Sequence, residues 1–436
     1  MLNRTLILAV VLSATTSLAQ NQVVKPNGIK IGDGRLHPFL SVRAAYDSAA
    51  GLFPSGGATG PLTVRGDFIL TPSAGLIFNL DSGNTMFNFN GGAGYTWYTG
   101  LITSGANQLS FISANVGLDA AFNRQGAVEF DIGDNFTRSN RSGNVAAGVG
   151  ILSLFNSARV AAPIKPGGGA IVITPQVRWD VEFFTPQLAA QRATDCRAGD
   201  ISCDPAVLSR MNYNNLFFSL GGKWKFLPKT AVIADVGFDW RTYFNTTPSS
   251  TGTIDFTTNL NAQLLRGSVG MSGLITSRIS ALATIGGGYD FGNNLRRGTV
   301  IAQAELAYLG QDFTVRGGYM RTLNPVPLYG LFEQDRGYLE ARATFFGRLT
   351  LRGFGSYDFI QFPRYRDPVT MMDVDRRDHL IMAQAEISYQ FVSFFSASLT
   401  YWLSWRQPTS GATNVSGRTA VEYTRHEPAL TLNLTY

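Results

Sequence analysis

The feature that most limits what this chain can fold into is a two-residue alternation of apolar and polar side chains. It is clearest over residues 429–436, where leucines and the final Tyr436 alternate with Thr431, Asn433 and Thr435. Successive side chains of a β-strand point to opposite faces, whereas an α-helix repeats about every 3.6 residues. The segment is therefore predicted to be a strand with one apolar face and one polar face.

The same alternation recurs from about residue 36 onward, in segments of roughly 10 to 16 residues, the length that a tilted membrane strand needs. Residues 176–183, 232–241, 339–345 and 383–389 are further clear examples. Their apolar faces carry small and aliphatic residues in the middle and aromatic residues at the ends, which is typical of lipid-facing strands. A soluble sandwich would instead have a bulky aliphatic inner face. The predicted fold class is all-β: a transmembrane antiparallel β-barrel.

Turn signals divide the alternating region into about eighteen strands and separate two kinds of connection. Short turns are predicted at 81–84, 123–126, 227–230, 310–312 and 347–348. Longer loops are predicted at 49–64, 185–210, 245–256, 323–335, 362–377 and 407–419. This asymmetry is typical of outer-membrane barrels, and an even strand count places both termini on the periplasmic side. A barrel of this width leaves an aqueous interior unless something fills it.

The N-terminus carries a predicted secretory signal. Arg4 is followed by an apolar run at 6–12 and by small residues at Ser17 and Ala19, the positions that signal peptidase reads. No later apolar run is long enough for a membrane-spanning helix. The predicted divisions are a signal peptide at 1–19, a periplasmic lead-in at 20–35 and an outer-membrane β-barrel at 36–436.

The two cysteines, Cys196 and Cys203, both lie in the predicted loop 185–210. Their close spacing in an oxidising compartment predicts a small loop disulfide, and a metal site would need more soft ligands nearby. Two interpretations of this loop remain open: a constriction folded into the barrel mouth, or a stapled surface loop. The net charge of +6 is spread along the chain without basic blocks, so nucleic acid is not a predicted partner.

The charged faces of the predicted strands are expected to line the lumen, because the opposite faces meet lipid. Both signs of charge occur, which leaves two interpretations: ion pairs that keep the wall hydrated, or a polar track where Trp402 and Tyr243 stack on sugar rings. The predicted pore-lining residues are Arg43, Arg178, Asp180, Glu182, Lys223, Lys225, Asp235, Asp239, Arg241, Glu305, Arg316, Glu340, Arg342, Arg352 and Glu386.

Three histidines are the remaining candidates for chemistry. His37 opens the first strand, His379 opens a late strand beside Asp378, and His426 begins the last strand. A hydrolase needs a nucleophile and an orienting carboxylate within hydrogen-bond reach, whereas Asp378 and His379 point to opposite faces of one strand. The sequence also contains no phosphate-binding loop, dinucleotide fingerprint or zinc-protease motif. No enzyme activity and no cofactor are therefore predicted.

A family resemblance adds to this interpretation. Residues 37–47 (HPFLSVRAAYD) resemble the opening of a family of outer-membrane barrels encoded with polysaccharide export genes, and residues 226–232 are similar to that family's turn between two middle strands. The family is similar to the barrel part of poly-N-acetylglucosamine exporters. This chain departs from the pattern at 48–50 and lacks the exporters' periplasmic helical repeats. The resemblance implies a separate periplasmic polysaccharide-export partner.

The sequence thus predicts an outer-membrane conduit for a hydrophilic polymer, either an exopolysaccharide or a capsular or surface polysaccharide. The first alternative is a general or substrate-specific diffusion porin for small solutes. Two further alternatives are a surface enzyme that uses His379 or His426, and an adhesive barrel with a closed lumen. Other predicted partners are outer-membrane lipids and the barrel-assembly machinery, whose recognition signal the C-terminal strand ending in Tyr436 resembles.

Overall fold

The fold was analysed in a computed structural model. It describes residues 28–54, 62–140, 151–186, 209, 211–244, 261–292, 298–326, 330–362, 365–366, 373–374, 376–408 and 422–436. The predicted signal peptide at 1–19 lies outside the described residues. The predicted disulfide between Cys196 and Cys203 lies outside them as well.

Eighteen antiparallel strands form one closed barrel. A short strand, β1 (Ile29–Ile31), pairs with the start of the first barrel strand, and β17 (Tyr365–Arg366) and β18 (Asp373–Val374) form a separate small hairpin. The barrel strands are β2 (Gly34–Pro54), β3 (Leu62–Asp81), β4 (Met86–Tyr98), β5 (Phe111–Phe122), β6 (Phe130–Ser139), β7 (Ile151–Ala161), β8 (Ile171–Pro186), β9 (Tyr213–Leu227), β10 (Thr230–Tyr243), β11 (Ala262–Leu274), β12 (Ile279–Asp290), β13 (Gly298–Leu309), β14 (Phe313–Val326), β15 (Gly330–Phe345), β16 (Leu349–Gln361), β19 (Arg377–Val392), β20 (Phe395–Pro408) and β21 (Tyr423–Thr435).

The first and last barrel strands close the barrel. β2 pairs with β21 in a register that runs from Phe39 opposite Thr435 to Ala45 opposite Ala429. Every other barrel strand pairs with its neighbours along the chain. A closed barrel leaves no sheet edge unpaired, which is the condition for a sheet to cross a bilayer because lipid offers no hydrogen bonds to the backbone. The predicted fold class and strand number are confirmed.

The two ends of the barrel differ in their connections. One end, here called the turn end, carries short turns such as Ser82 to Thr85 and the two-residue turn between β9 and β10. The other end, the loop end, carries the longer connections. The prediction of a long loop at 323–335 is wrong. Strands β14 and β15 occupy most of this range, and only residues 327–329 separate the two strands. Cross-strand pairing between the two strands continues almost to the tip of this hairpin.

The outer face of the barrel is an apolar surface bounded by aromatic belts. Leucine, isoleucine, valine and methionine side chains are exposed in the middle of the strands. Exposed aromatic residues at the loop end include Trp97, Trp240 and Tyr357, and those at the turn end include Trp224 and Tyr389. An exposed apolar band with aromatic girdles is the surface of a barrel that spans an outer membrane. The protein is a transmembrane β-barrel of the bacterial outer membrane.

The described residues contain no helix long and apolar enough to span a membrane. Two one-turn 3₁₀ helices lie in connections between strands. The first is η1 (Ala106–Leu109), in the loop-end connection between β4 and β5. The second is η2 (Pro166–Gly169), in a turn-end connection between β7 and β8.

Candidate functional site

The candidate functional site is the lumen, a cavity of 2880 Å³ enclosed by the inward faces of the strands. All of the predicted pore-lining residues except Arg342 line this cavity. Arg342 lies opposite Arg352 near the turn end of β15, and it is not among the lining residues of the described chain. Trp402 lines the cavity, whereas Tyr243 is buried with its ring 6.1 Å from the ring of Tyr213.

The hairpin formed by the loop-end halves of β14 and β15 leaves the barrel wall. Pairing of β14 with β13 ends at Arg321, and pairing of β15 with β16 begins only at Glu333. Beyond these points the two strands still pair with each other, from Thr322 opposite Gln334 to Val326 opposite Gly330. We call residues 322–326 and 330–332 the inner hairpin.

The contacts of the inner hairpin show that it lies inside the barrel. Leu323 and Leu331 are buried in one apolar cluster with Ala262 and Leu264, which belong to β11, three strands away from β14 around the wall. Arg241, on the lumen side of β10, donates a hydrogen bond from Nη1 to the main-chain oxygen of Pro325 at 3.1 Å. A hairpin that reaches the inward face of distant strands must lie within the lumen. The inner hairpin therefore narrows the loop end of the channel.

A second inward-folded segment covers another part of the loop end. The connection at 99–110, which contains η1, is fixed by the Asp67 carboxylate, which accepts the backbone N–H groups of Gly100 at 2.6 Å and Ile102 at 3.1 Å. Ala106 and Leu109 are buried against side chains of β2 to β5, β7 and β21, including Ile69 and Tyr98. The sequence analysis did not identify this connection as a long loop. The predicted loop 185–210, which the sequence leaves open as a constriction or a stapled surface loop, lies largely outside the described residues.

On the inward face of the barrel, two arginines are more exposed to the lumen than the carboxylates with which they pair. The Arg43 side chain is 24% exposed and its partner Glu427 is 1% exposed. Arg266 is 26% exposed and its partner Asp239 is 3% exposed. A carboxylate behind a guanidinium fixes its orientation. In these two pairs the cation is the member nearer to the water of the lumen.

A further part of this wall is a cluster around Phe217 on β9. The guanidinium carbon of Arg178 lies 4.8 Å from the centre of the Phe217 ring, and that of Arg266 lies 5.8 Å from it. Gly237 on β10 makes room for the ring, because a Cβ at this position would lie 2.7 Å from a ring carbon. We call Arg178, Phe217 and Arg266 the arginine–phenylalanine cluster.

Buried polar groups hold the two arginines of this cluster. Arg178 donates to Asp180 at 3.0 Å, and Arg266 is paired with Asp239. Asn215 lies between the two carboxylates and donates to Asp180 at 3.2 Å and to Asp239 at 3.3 Å. The two guanidinium groups are thus connected through one network across β8 to β11. Because this network is buried in the wall, it fixes the positions of both cations in the absence of solute.

A related arrangement lies farther around the wall, on β13 to β16. Glu340 accepts hydrogen bonds from Arg316 at 2.5 Å and from Arg352 at 3.0 Å, so two arginines share one carboxylate. Tyr338 donates to Glu305 in the same region. Sequence analysis placed four of these five residues on the lumen face, but it missed Tyr338, Arg266 and Phe217. Strand alternation alone could have identified all three, because each occupies an inward position.

Other charged residues near the loop end stabilise the barrel. The Asp378 carboxylate is fully buried and is bonded by Arg376, with distances of 2.9 and 2.7 Å, and by Arg406, whose Nε lies at 3.0 Å. Removing the charge of a carboxylate that faces two buried cations weakens their compensation, which costs several kcal/mol.

We expect Asp378→Asn to lower the free energy of unfolding by about 3 kcal/mol. Asp119→Asn is the matched control, because the Asp119–Arg159 pair at 2.8 Å is about half exposed and such pairs contribute less than about 1 kcal/mol. Urea unfolding of the refolded barrel in lipid vesicles, followed by tryptophan fluorescence, measures both variants. Equal losses of stability in the two variants would contradict the assignment.

The histidines lie outside any arrangement suited to catalysis in the described chain. His379 and His426 are on the outer face near the loop end, and their Nδ1 atoms are hydrogen-bonded to the hydroxyls of Tyr357 at 2.6 Å and Tyr401 at 2.7 Å. His37 lies at the turn end, with Nδ1 2.9 Å from the main-chain oxygen of Tyr436. The described residues contain no group of three or more acidic, histidine or cysteine side chains that could hold a metal.

Comparison with known proteins gives a likeness in fold. The sequence matches no protein-family profile and no curated protein. Among solved structures, it is similar to OccAB3 of Acinetobacter baumannii, with a TM-score of 0.45, 12% identity, and coverage of 93% of this chain and 100% of that chain. It is also similar to the outer-membrane protein OpdK of Pseudomonas aeruginosa (TM-score 0.45, 9% identity, coverage 92% and 99%). The siderophore receptor PirA of the same organism has a TM-score of 0.41, 10% identity and coverage of 92% and 80%.

Proposed function

We propose that the protein is a passive diffusion channel for small hydrophilic solutes and that it favours anions. The observation that carries this proposal is the inner hairpin, which crosses from β14 and β15 to the inward faces of β10 and β11. A lumen narrowed in this way admits small solutes one at a time, whereas an extended polymer needs a continuous open path. The constriction therefore favours the diffusion channel over the polysaccharide export that the family resemblance implies.

The anion preference is supported by the relative burial of the lumen ion pairs. In the pairs Arg43–Glu427 and Arg266–Asp239, the cation faces water and the carboxylate lies behind it. The positive charge of these more exposed guanidinium groups attracts an anion in the lumen, whereas their partner carboxylates lie farther from the solute. Lys223 and Lys225 also line the cavity, nearer to the turn end. Solute would pass between these groups by exchanging hydrogen bonds, without any input of energy.

The test is transport by the purified barrel in lipid vesicles. Vesicle swelling should be fast with small neutral sugars, should fall sharply with oligosaccharide length, and should be faster for an organic anion than for a cation of equal size. A gene deletion should leave cell-surface and released polysaccharide unchanged. Loss of polysaccharide in the deletion strain, restored by the intact gene, would overturn the proposal in favour of export. Absence of swelling with every solute would indicate a closed barrel.

A further inference from the structure

The outer face of the barrel carries a hydrogen-bonded pair of polar side chains at membrane depth. Most outward positions between the two aromatic belts of the described strands are apolar or glycine, and Asp134 on β6 and Asn156 on β7 are polar; Arg138 follows two outward positions after Asp134. Asp134 lies opposite Leu118 on one side and Ala158 on the other, and both of these are outward positions. The Asn156 amide donates to the Asp134 carboxylate at 3.1 Å. We call these two residues the outer polar pair.

The depth of the outer polar pair follows from its neighbours along the strand. Phe130 and Ile132, which precede Asp134 on the same face, are 51% and 42% exposed, and Phe136 follows it. Four residues of a tilted strand span about 10 Å along the membrane normal, and the apolar band is about 25 Å tall. The carboxylate is therefore well inside the lipid layer when the barrel is alone in the membrane.

Lipid is a poor environment for these two groups. A carboxylate can accept about four hydrogen bonds, and an amide offers two donors and an acceptor. The contact within the pair uses one donor and one acceptor site, and hydrocarbon supplies none. Polar groups in the membrane are costly unless they meet other polar groups of protein. Ala158 stands opposite Asp134 on β7, whereas Leu118 on β5 stands opposite it on the other side and Phe136 stands opposite Asn156.

We propose that the outer polar pair is the centre of an interface with a second copy of this chain. Copies inserted in the same direction are related by an axis along the membrane normal, so that only groups at equal depth can meet. Asp134 and Asn156 are at equal depth, since they are hydrogen-bonded to each other. The pair is also self-complementary: the second N–H of Asn156 in one copy can donate to Asp134 of the other, and the reverse.

The experiment is disulfide cross-linking in intact outer membranes, in a background where Cys196 and Cys203 are replaced by serine. Ala158→Cys places a thiol beside Asp134, and Ala283→Cys places one at similar depth on β12, far around the barrel. We expect oxidation to give a dimer with Ala158→Cys and none with Ala283→Cys. Adding Asp134→Leu and Asn156→Leu to Ala158→Cys should reduce the cross-linked fraction at least about fivefold, because the polar contacts are lost.

Two readouts make the outcome decisive. Heat-modifiable migration in detergent gels reports whether each variant is a folded barrel, and equilibrium sedimentation in mild detergent reports the size of the protein without cross-linking. Folded barrels that sediment as monomers and do not cross-link at Ala158→Cys would overturn the proposal. Equal cross-linking after the two leucine substitutions would also overturn it, as would a product that contains a different protein.

Discussion

Replacing residues 324–332 of the inner hairpin by Gly-Gly should raise the single-channel conductance about twofold or more, because it removes the segment that narrows the lumen. The residues kept on either side, Leu323 and Glu333, are cross-strand partners, and a two-residue glycine turn suits a hairpin of this kind. The wall pairings of β14 with β13 and of β15 with β16 lie outside the replaced segment. Planar-bilayer recording of the purified protein measures the change.

The matched control for this prediction is Arg241→Ala, which removes the hydrogen bond to Pro325 but leaves the hairpin in the chain. Its conductance should rise less than that of the Gly-Gly variant, because the apolar cluster with Leu264 still holds Leu323 and Leu331. The Gly-Gly variant should also admit longer oligosaccharides in vesicle swelling. Unchanged conductance and an unchanged size limit would show that the inner hairpin does not restrict the path.

Arg178→Gln combined with Arg266→Gln should reduce the anion-to-cation permeability ratio about tenfold. Each substitution removes one positive charge from the lumen surface and leaves Asp180 or Asp239 without its arginine. At the dielectric constant of water, a unit charge about 12 Å from a permeating ion contributes roughly 0.35 kcal/mol, with opposite signs for an anion and a cation, so that two charges change the ratio by about one power of ten. The reversal potential in a salt gradient gives the ratio directly.

A charge-preserving double variant, Arg178→Lys with Arg266→Lys, separates charge from geometry. It should keep the anion preference, because the positive charges remain, while losing the planar contact with Phe217. High salt should weaken the preference of the unmodified protein, since the lumen is aqueous and its charges are screened. A permeability ratio that is the same in the glutamine variant and the unmodified protein would assign the selectivity to other residues.

Much of the barrel could be predicted from local sequence. The alternation over 429–436 places Thr431 and Asn433 on the lumen side and the leucines outside, as the structure has them. Strand direction reverses at turns whose positions were predicted, including 81–84 and 227–230. These features depend on residues close together in the chain, so a single sequence contains them. The apolar residues of the predicted loop 323–335, such as Leu323 and Leu331, were a signal that this segment is buried.

The sequence by itself determined that the chain forms strands with one lipid face and one polar face, and hence a closed barrel around a polar lumen. Only the tertiary structure decided which side chains meet in the lumen and where the lumen is narrowed. Pro325 of the inner hairpin contacts Arg241, which lies 84 positions earlier in the sequence, and Arg43 contacts Glu427, which lies 384 positions later. Such contacts arise because barrel closure brings distant strands together. The periodicity of one strand shows which face a side chain occupies, but the residue that it meets depends on the whole sheet.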